Sequence, residues 1–230
     1  MANTAVVYDR EYNGKKLNFE ASGGLMHSSL VMQDRETDSY WAIMTDEAIA
    51  GQFKGTKLVE LPVSKKVKWK DWVKEHPNTL VLSVDGREDG FNPYASYFTS
   101  PRGFRGTSAK DKRLRTKEPI FAFRLRGKSY AVAQKDIEGG KAFDLGDIKL
   151  FLYRPKGAEM FYSTAAFIGS GSGFKKVDGK WTEVDSGCTF DPEKEVFSSD
   201  SGNCVQRLDG GFDTFWYNWS LSNPNTQLLK

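Results

Sequence analysis

Short runs of apolar residues, separated by turn residues, recur along most of the chain, and this pattern predicts strands. Asn13-Gly14 and Asp178-Gly179 each stand between two such runs, and both dipeptides favour a two-residue hairpin turn. The pattern predicts a mainly β fold (α+β with few short helices). The runs that we interpret as strands are residues 5–8, 17–19, 30–32, 40–43, 58–61, 79–82, 120–125, 129–133, 148–153, 174–177 and 181–184.

One segment has helical spacing. Trp69, Trp72 and Val73 lie three and four residues apart, and Pro77 follows shortly afterwards. This spacing puts the three side chains on one face of a helix, and a proline does not continue a helix. The sequence predicts a short amphipathic helix over residues 69–75, with His76 near its C-terminus, where a cation suits the helix dipole.

The helical segment resembles a later one. Residues 69–82 align with residues 216–229, and both read W-x-x-W-x(4)-P-N-T-x-x-L. Upstream, residues 36–41 resemble residues 185–190 in the same way. Similarity of this kind is typical of an internal duplication. The alternative is a helix–turn–strand that arose by coincidence in both places.

A duplication divides the chain into three parts. We expect a first β unit over residues 1–84, a middle segment over 85–157 with a basic loop and further strands, and a second β unit over 158–230. The three parts are expected to form one compact globule. Four tryptophans are expected to be structural, with Trp72 and Trp219 buried at equivalent positions beside Trp69 and Trp216.

Composition is that of a folded protein with balanced charge. The 230 residues include 16 Phe, 9 Tyr and 6 Trp, which argues against disorder. With 33 Lys and Arg against 30 Asp and Glu, there is no overall field that would attract nucleic acid, and none is expected as a partner. No apolar run approaches the length of a transmembrane helix, and no signal-peptide pattern is seen at the N-terminus.

His27 and His76 are the two histidines of the chain. His27 follows Gly23-Gly24-Leu25, where a tight backbone would present the imidazole to a cleft. The alternative is a hydrogen-bonded structural histidine. Since no His or Cys pattern has metal-ligand spacing, the sequence predicts neither a metal site nor a cofactor.

Basic residues cluster in the middle segment, among them Arg102, Arg105 and Lys117, and Tyr94 stands nearby in the sequence, where its hydroxyl would close the site. The two arginines flank a Gly-Phe turn that would aim both guanidinium groups in one direction, and Lys117 is held by the strand that follows it. These residues are candidates for binding a small anionic ligand, together with His27. The alternative is a solvated loop between domains.

Several motifs together resemble one protein family. They are Tyr8-Asp9-Arg10, the run Ser22-Gly23-Gly24-Leu25-Met26-His27-Ser28-Ser29-Leu30-Val31-Met32, Asp34-Arg35-Glu36-Thr37, Ala48-Ile49-Ala50-Gly51, the Trp-Pro-Asn-Thr-Leu-Val-Leu-Ser segment and the terminal Phe215-Trp216-Tyr217-Asn218-Trp219. The chain is similar to the bacterial and archaeal family called domain of unknown function 3179. The resemblance implies no established activity, but it implies an extracytoplasmic protein, periplasmic or surface-anchored.

An extracytoplasmic setting bears on Cys188 and Cys204. Both lie beside turn residues, and an oxidising compartment favours a disulfide between them. The alternative is two buried thiols, because Cys188 stands where the first repeat has Ser39.

Two functions are compatible with these observations. The leading hypothesis is a non-catalytic extracytoplasmic binding or scaffold module, with a cleft between the two β units that takes a small anionic ligand. The second is an enzyme whose active site is built around His27, Asp34, Arg35 and Tyr94. The binding hypothesis is favoured because no nucleophile, general base or metal set converges in the sequence.

Overall fold

The computed structural model describes residues 3–61, 65–82, 94–169 and 171–230, and the fold is mainly β. Its three α-helices are α1 (Trp69–Glu75), α2 (Ala95–Thr99) and α3 (Trp216–Ser222). The strands are β1 (Glu11–Tyr12), β2 (Lys15–Lys16), β3 (Phe19–Met26), β4 (Ser29–Asp34), β5 (Tyr40–Ala42), β6 (Glu47–Ala50), β7 (Pro119–Leu125), β8 (Lys128–Ala133), β9 (Lys141–Asp144), β10 (Lys149–Tyr153), β11 (Ala165–Gly169), β12 (Phe174–Val177), β13 (Lys180–Glu183), β14 (Thr189–Asp191), β15 (Val196–Ser199), β16 (Gly202–Asn203), β17 (Gln206–Arg207), β18 (Phe212–Phe215) and β19 (Gln227–Leu229).

Both predicted hairpin turns are present. Asn13 and Gly14, with φ angles of 49° and 71°, connect β1 to β2. Asp178 and Gly179, with φ angles of 49° and 79°, connect β12 to β13. Positive φ at both turn residues matches the right-handed twist of the flanking strands, and Asn, Asp and Gly adopt it most readily.

The central sheet joins distant parts of the chain, in the order β18-β7-β8-β19. The hairpin β7–β8 forms its middle, β18 pairs antiparallel with β7, and β19 pairs parallel with β8. Helix α3 lies against this sheet and buries Trp216 and Trp219 completely. Their rings pack with Ile120, Ala122 and Ala131 of the hairpin.

Two further sheets belong to the C-terminal half of the chain. One has the order β17-β11-β10-β9, and the other is the meander β12-β13-β14-β15-β16. Phe151 of β10 is fully buried between them, with Phe174, Trp181, Phe190 and Phe197 around it at centroid distances of 5.1–5.5 Å. Aromatic packing therefore holds the meander on its neighbouring sheet.

The N-terminal half contains a comparable meander, β3-β4-β5-β6, and the two meanders share a turn. In the first, Asp34 accepts hydrogen bonds from the N–H and the hydroxyl of Thr37, both at 2.7 Å. In the second, Glu183 accepts the same two bonds from Ser186, at 2.8 and 2.5 Å. Both carboxylates are buried. Each one satisfies turn donors that would otherwise be desolvated without a partner.

Helices α1 and α3 also share their local geometry. The residue that follows each helix, His76 or Asn223, donates its N–H to the carbonyl four residues earlier, at 2.8 and 2.7 Å. Its own carbonyl then accepts the hydroxyl of Thr79 or Thr226, at 2.9 and 2.6 Å. The shared Pro-Asn-Thr run thus makes the same turn twice. The predicted helix over residues 69–75 has the predicted bounds.

Burial of the two helices differs, and here the expectation of equivalent tryptophans is wrong. Trp216 and Trp219 are 0% exposed, whereas Trp69 and Trp72 are 54% and 37% exposed. Helix α3 covers the central sheet, but α1 buries none of its side chains. The two motifs have the same local conformation because their sequences are alike, and differ in burial because a sheet lies under only one of them.

Three of the predicted strands do not form: residues 5–8, 58–61 and 79–82. Residues 79–82 belong to no strand, and Leu80 is 95% exposed. Residues 58–61 contribute only a single bridge, between Glu60 and Tyr8. Residues 58–61 lie beside residues 7–9, with backbone hydrogen bonds of 2.8 Å from Asp9 to Val59 and from Leu61 to Val7, but this pairing amounts to an isolated bridge. The expected boundary at residues 84/85 lies outside the described residues.

Cys188 and Cys204 are joined by a disulfide, with their Cα atoms 6.5 Å apart. Cys188 occupies the place that Ser39 has in the first meander. The N–H of Asp34 bonds the carbonyl of Ser39 at 3.0 Å, and the N–H of Glu183 bonds the carbonyl of Cys188 at 2.9 Å. The crosslink ties this turn to the end of β16.

A pair of substitutions tests the contrast between the helices. We expect Trp219→Ala to lower the free energy of unfolding by about 3–5 kcal/mol, because it leaves a large cavity under α3. Trp72→Ala is expected to cost about 1 kcal/mol or less, because that ring is already exposed. Urea unfolding of both variants measures the difference, and equal costs would contradict it.

Alkylation of the thiols and substitution of both cysteines test the disulfide. Unreduced protein is expected to show no alkylatable thiol by mass spectrometry, and the Cys188→Ser, Cys204→Ser double variant should be about 3 kcal/mol less stable in urea. Two alkylated thiols in unreduced, unfolded protein would show that the crosslink is absent.

Candidate functional site

A cleft of about 480 Å³ separates two segments that are far apart in sequence. One wall consists of residues 65–75, leading into and through α1, and the other consists of residues 155–162, with Glu193 at the edge. Four lysines lie close together on the first wall: Lys65, Lys66, Lys68 and Lys70. The opposite wall contributes the rings of Phe161 and Tyr162 and the side chain of Pro155.

Lys66 is the most enclosed of these lysines. Its amine donates a hydrogen bond to the carbonyl of Asn3 at 2.9 Å, and its N–H donates to the Ser163 hydroxyl at 2.7 Å. Burial lowers the pKa of the Lys66 amine, and the attraction of Asp213 opposes this shift in part. A partly buried ammonium that gives one hydrogen bond to a neutral carbonyl has donors left for a further acceptor.

Two other lysines of this wall are held by carboxylates. Lys65 pairs with Glu195 at 3.1 Å, and the same carboxylate accepts the hydroxyl of Tyr162 at 2.6 Å. Lys68 pairs with Glu159 at 3.0 Å across the cleft. Burial, together with the hydrogen bond to Glu195, raises the pKa of the Tyr162 phenol. Tyr162 therefore remains a neutral hydrogen-bonding group at the cleft.

A buried ion pair fixes the wall formed by residues 155–162. Arg154 is 1% exposed and lies 3.4 Å from Asp213, which is 3% exposed. The guanidinium also donates to the carbonyl of Tyr162, and at 2.7 Å to the carbonyl of Glu159. Arg154 thus donates hydrogen bonds to two carbonyls of one loop, because its guanidinium carries five N–H donors.

Asp213 is in turn fully engaged. It accepts the N–H and hydroxyl of Thr164 at 2.8 and 2.7 Å, and the Gln134 amide at 2.7 Å. These contacts connect β18 to the start of β11 and to the end of β8. The position of the cleft wall therefore depends on one buried carboxylate.

Lys117, one of the residues predicted to bind an anion, points into the protein. Its amine donates to the carbonyls of Tyr97 and Ser100, and it lies 4.1 Å from the Tyr97 ring centroid. Burial lowers the pKa of this amine. The lysine satisfies carbonyls at the C-terminal end of α2, where a cation is favourable. These contacts take up two of the three ammonium donors and direct the side chain away from the two arginines' solvent-exposed turn.

Arg102 and Arg105 are exposed, and so is Tyr94. Arg105 has a φ of 53°, and its guanidinium lies 5.3 Å from the Phe104 ring centroid. Gly103 between them is buried against the Tyr217 ring, where a Cβ would come within 2.7 Å of the ring carbons. The turn is therefore fixed by packing, and it leaves both arginines at the surface.

His27 lies in the β3–β4 turn, where it meets α3. Its Nδ1 is 3.0 Å from the Ser222 hydroxyl, and its carbonyl accepts the Asn218 amide at 2.8 Å. The neighbouring Ser28 hydroxyl is 3.2 Å from that of Thr107. The turn joins the first meander to α3, and the imidazole is exposed.

Two residues of the enzymatic hypothesis, Asp34 and Arg35, lie away from His27. Asp34 stands at the other end of β4 from His27, about 17 Å along the strand. Its carboxylate is buried and accepts Trp41 Nε1 at 2.8 Å in addition to the Thr37 donors. Arg35 is exposed and pairs with Glu20 at 2.7 Å. An active site around His27 and Asp34 is not formed.

The sequence analysis expected a cleft between two β units but did not identify the residues that line this one. The run Lys65-Lys66-Val67-Lys68-Trp69-Lys70 is visible as alternating basic residues, and it was the available signal. Arg154, Tyr162 and Asp213 carried no signal, because they are isolated in the sequence and meet only in the fold.

Two kinds of feature are absent from the part of the chain that the structure describes. Within residues 3–61, 65–82, 94–169 and 171–230, no group of three or more His, Cys, Asp or Glu side chains is placed to hold a metal ion. Over the same residues, no helix combines the length and the apolar character needed to cross a bilayer.

Comparison with known proteins identifies the family. The family model described as "Protein of unknown function (DUF3179)" matches residues 1–226, so the chain belongs to this family. No curated protein and no solved structure matches the chain.

The ion pair behind the cleft wall gives a test. We expect Asp213→Asn to lower the free energy of unfolding by about 3–5 kcal/mol, because it leaves the buried Arg154 guanidinium without a counter-charge. Asp144→Asn is the matched control, since Asp144 is exposed in its pair with Lys149 and should cost about 1 kcal/mol or less. If both variants lose the same free energy of unfolding in urea, Asp213 does not act as the counter-charge of Arg154.

Proposed function

We propose that this member of the DUF3179 family is a non-catalytic extracytoplasmic binding module, and that the cleft between residues 65–75 and 155–162 takes a small anionic ligand. The single observation that carries the proposal is the partly buried ammonium of Lys66 beside a cleft of about 480 Å³. A bound carboxylate or phosphate supplies acceptors for the ammonium donors and a counter-charge in a partly desolvated place.

The local charges favour one end of the cleft. Lys65 and Lys68 already have carboxylate partners in Glu195 and Glu159, so their charges are largely balanced. The Lys66 amine donates to the carbonyl of Asn3, and Lys70, the second residue of α1, is exposed. We therefore assign the anion to Lys66 and Lys70, with the Tyr162 and Phe161 rings beside the less polar part of the ligand.

One wall of the cleft comes from the expected first unit and most of the other from the expected second unit, and we include the internal duplication in the proposal. The shared carboxylate turn and the shared helix-ending turn support a common origin for the two halves. Pairs of related units commonly bind ligands where they meet, because the joint contributes polar groups from both sides.

An extracytoplasmic location is supported by the Cys188–Cys204 disulfide, since such bonds persist in oxidising compartments. The enzymatic alternative has less support. Its one favourable observation is the 3.0 Å contact between His27 and the Ser222 hydroxyl, and the described residues provide no carboxylate bonded to the other imidazole nitrogen.

Calorimetry with inorganic phosphate and with citrate tests the binding site. We expect Lys66→Met to weaken binding by about tenfold or more, which corresponds to one lost charge-assisted hydrogen bond. Arg105→Ala is the control, because it removes an exposed cation outside the cleft and should leave affinity unchanged. Circular dichroism establishes that both variants are folded.

The opposite effect of the two variants would place the anion site elsewhere on the protein. Loss of binding in Arg105→Ala with retention in Lys66→Met would assign the anion to the Arg102–Arg105 turn instead. No binding of either anion at millimolar concentration would contradict anion recognition.

A dependence on pH follows from Lys66. Burial lowers the pKa of its amine in the free protein, and a bound anion raises it, so binding takes up protons. Binding is strongest at pH values below the pKa of the Lys66 amine in the free protein. It weakens as the pH rises through the pKa that this amine has in the complex. Calorimetry at increasing pH in buffers of different ionisation enthalpy should show this uptake, and Lys66→Met should abolish it.

A further inference from the structure

A second cleft, of about 430 Å³, lies between the β7–β8 turn and the C-terminal end of α3. Its chemistry differs from that of the cleft beside Lys66, because its lining carries a single charged group, one ammonium. Among the described residues that line it there is no carboxylate and no aromatic ring. The polar side chains of the lining are Lys128, Ser129, Ser222, Asn223, Asn225 and Gln227.

Three of these polar side chains are fixed by hydrogen bonds within the protein. Ser129 donates its hydroxyl to Asn223 Oδ1 at 3.3 Å, and the Asn223 amide donates to the carbonyl of Trp219 at 3.3 Å. The Ser222 hydroxyl lies 3.0 Å from His27 Nδ1. Trp219 is fully buried, so these contacts tie the cleft to the core. The cleft is therefore largely formed before a ligand binds, which lowers the entropy cost of binding.

The other three polar side chains are available to a ligand. Within the described part of the chain, the amides of Asn225 and Gln227 and the amine of Lys128 have no hydrogen-bond or ion-pair partner, and all three side chains are exposed. The backbone between the two amides is held by Thr226, whose N–H and hydroxyl both bond the carbonyl of Asn223, at 3.1 and 2.6 Å. The amides thus project from a fixed turn.

This set of groups fits one class of ligand best. A side-chain amide offers two N–H donors and a carbonyl acceptor, and each hydroxyl group of a sugar both donates and accepts. Neighbouring sugar hydroxyls therefore complement the two amides without any charge. A multiply charged anion would meet only the Lys128 ammonium, and a divalent cation prefers carboxylates, which the lining does not contain.

We propose that this cleft binds a neutral saccharide, with the amides of Asn225 and Gln227 contacting its hydroxyl groups and the Lys128 amine as a further donor. Pro224, which also lines the cleft, supplies C–H surface for the less polar face of a sugar ring. Pockets that combine some apolar surface with a few placed polar groups are typical of small-molecule sites. This site is separate from Lys66 and does not depend on the anion proposal.

Titration of the intact ¹⁵N-labelled protein with maltotriose, and separately with diacetylchitobiose, tests the proposal. We expect at least one of them to cause saturable shifts of the side-chain NH₂ signals of Asn225 and Gln227 and of the backbone amides of residues 127–129. A few neutral hydrogen bonds give millimolar affinity, so the saccharide is added to about 20 mM. Lys66→Met should bind the saccharide as the unmodified protein does.

Two variants identify the contacting amides. Asn225→Ala and Gln227→Ala should each weaken saccharide binding by about threefold to tenfold, because each removes one neutral hydrogen-bonding group. Asn203→Ala and Gln52→Ala are the matched controls, since they make the same changes at exposed positions outside the cleft and should leave the affinity unchanged. All four side chains are exposed, so the variants are expected to fold. Equal affinity in all four would contradict the proposal.

Three further results would overturn it. One is the absence of saturable shifts with both saccharides. Another is a set of shifts confined to residues outside the cleft. The third is a stronger response of the same amides to inorganic phosphate that disappears in Lys128→Gln, which would make this an anion site centred on the Lys128 amine.

Discussion

The packing of α3 on the hairpin β7–β8 is the contact on which the rest of the structure depends. Trp216 and Trp219 are fully buried there, and their cluster includes Met44 from the first meander and Phe212 from β18. Burial of two indole rings contributes several kcal/mol, a large part of the net stability of a domain of this size. The same contact sets the position of the His27 turn, through Asn218 and Ser222.

A second constraint is electrostatic, and it positions the cleft. Arg154 and Asp213 are both withdrawn from water, and each is surrounded by hydrogen-bonding groups of the opposite kind. An arrangement of this type contributes little net stability compared with an apolar core, but it tolerates no loss of either partner. It specifies one conformation for the loop over residues 155–162, and the cleft opposite the lysines takes its shape from that loop.

The two related motifs show how far local sequence determines structure. The Trp-x-x-Trp and Pro-Asn-Thr pattern makes the same short helix and the same turn in both places, since capping and turn hydrogen bonds involve only neighbouring residues. Burial involves the rest of the molecule. One motif lies on a four-stranded sheet, and the other exposes its tryptophans to solvent.

Several features followed from the sequence alone: the mainly β class, the two hairpin turns, the bounds of α1 and the family. Each depends on interactions within a few residues or on a long contiguous pattern. Tertiary structure decided the others. Lys117 was predicted to bind a ligand, and in the fold its amine donates to the carbonyls of Tyr97 and Ser100 at the end of α2. Residues 79–82 have strand composition but form no strand, because pairing needs a neighbouring edge. Arg154, Tyr162 and Asp213 define the cleft wall through contacts between residues as many as 59 positions apart, and no local pattern encodes a contact at that separation.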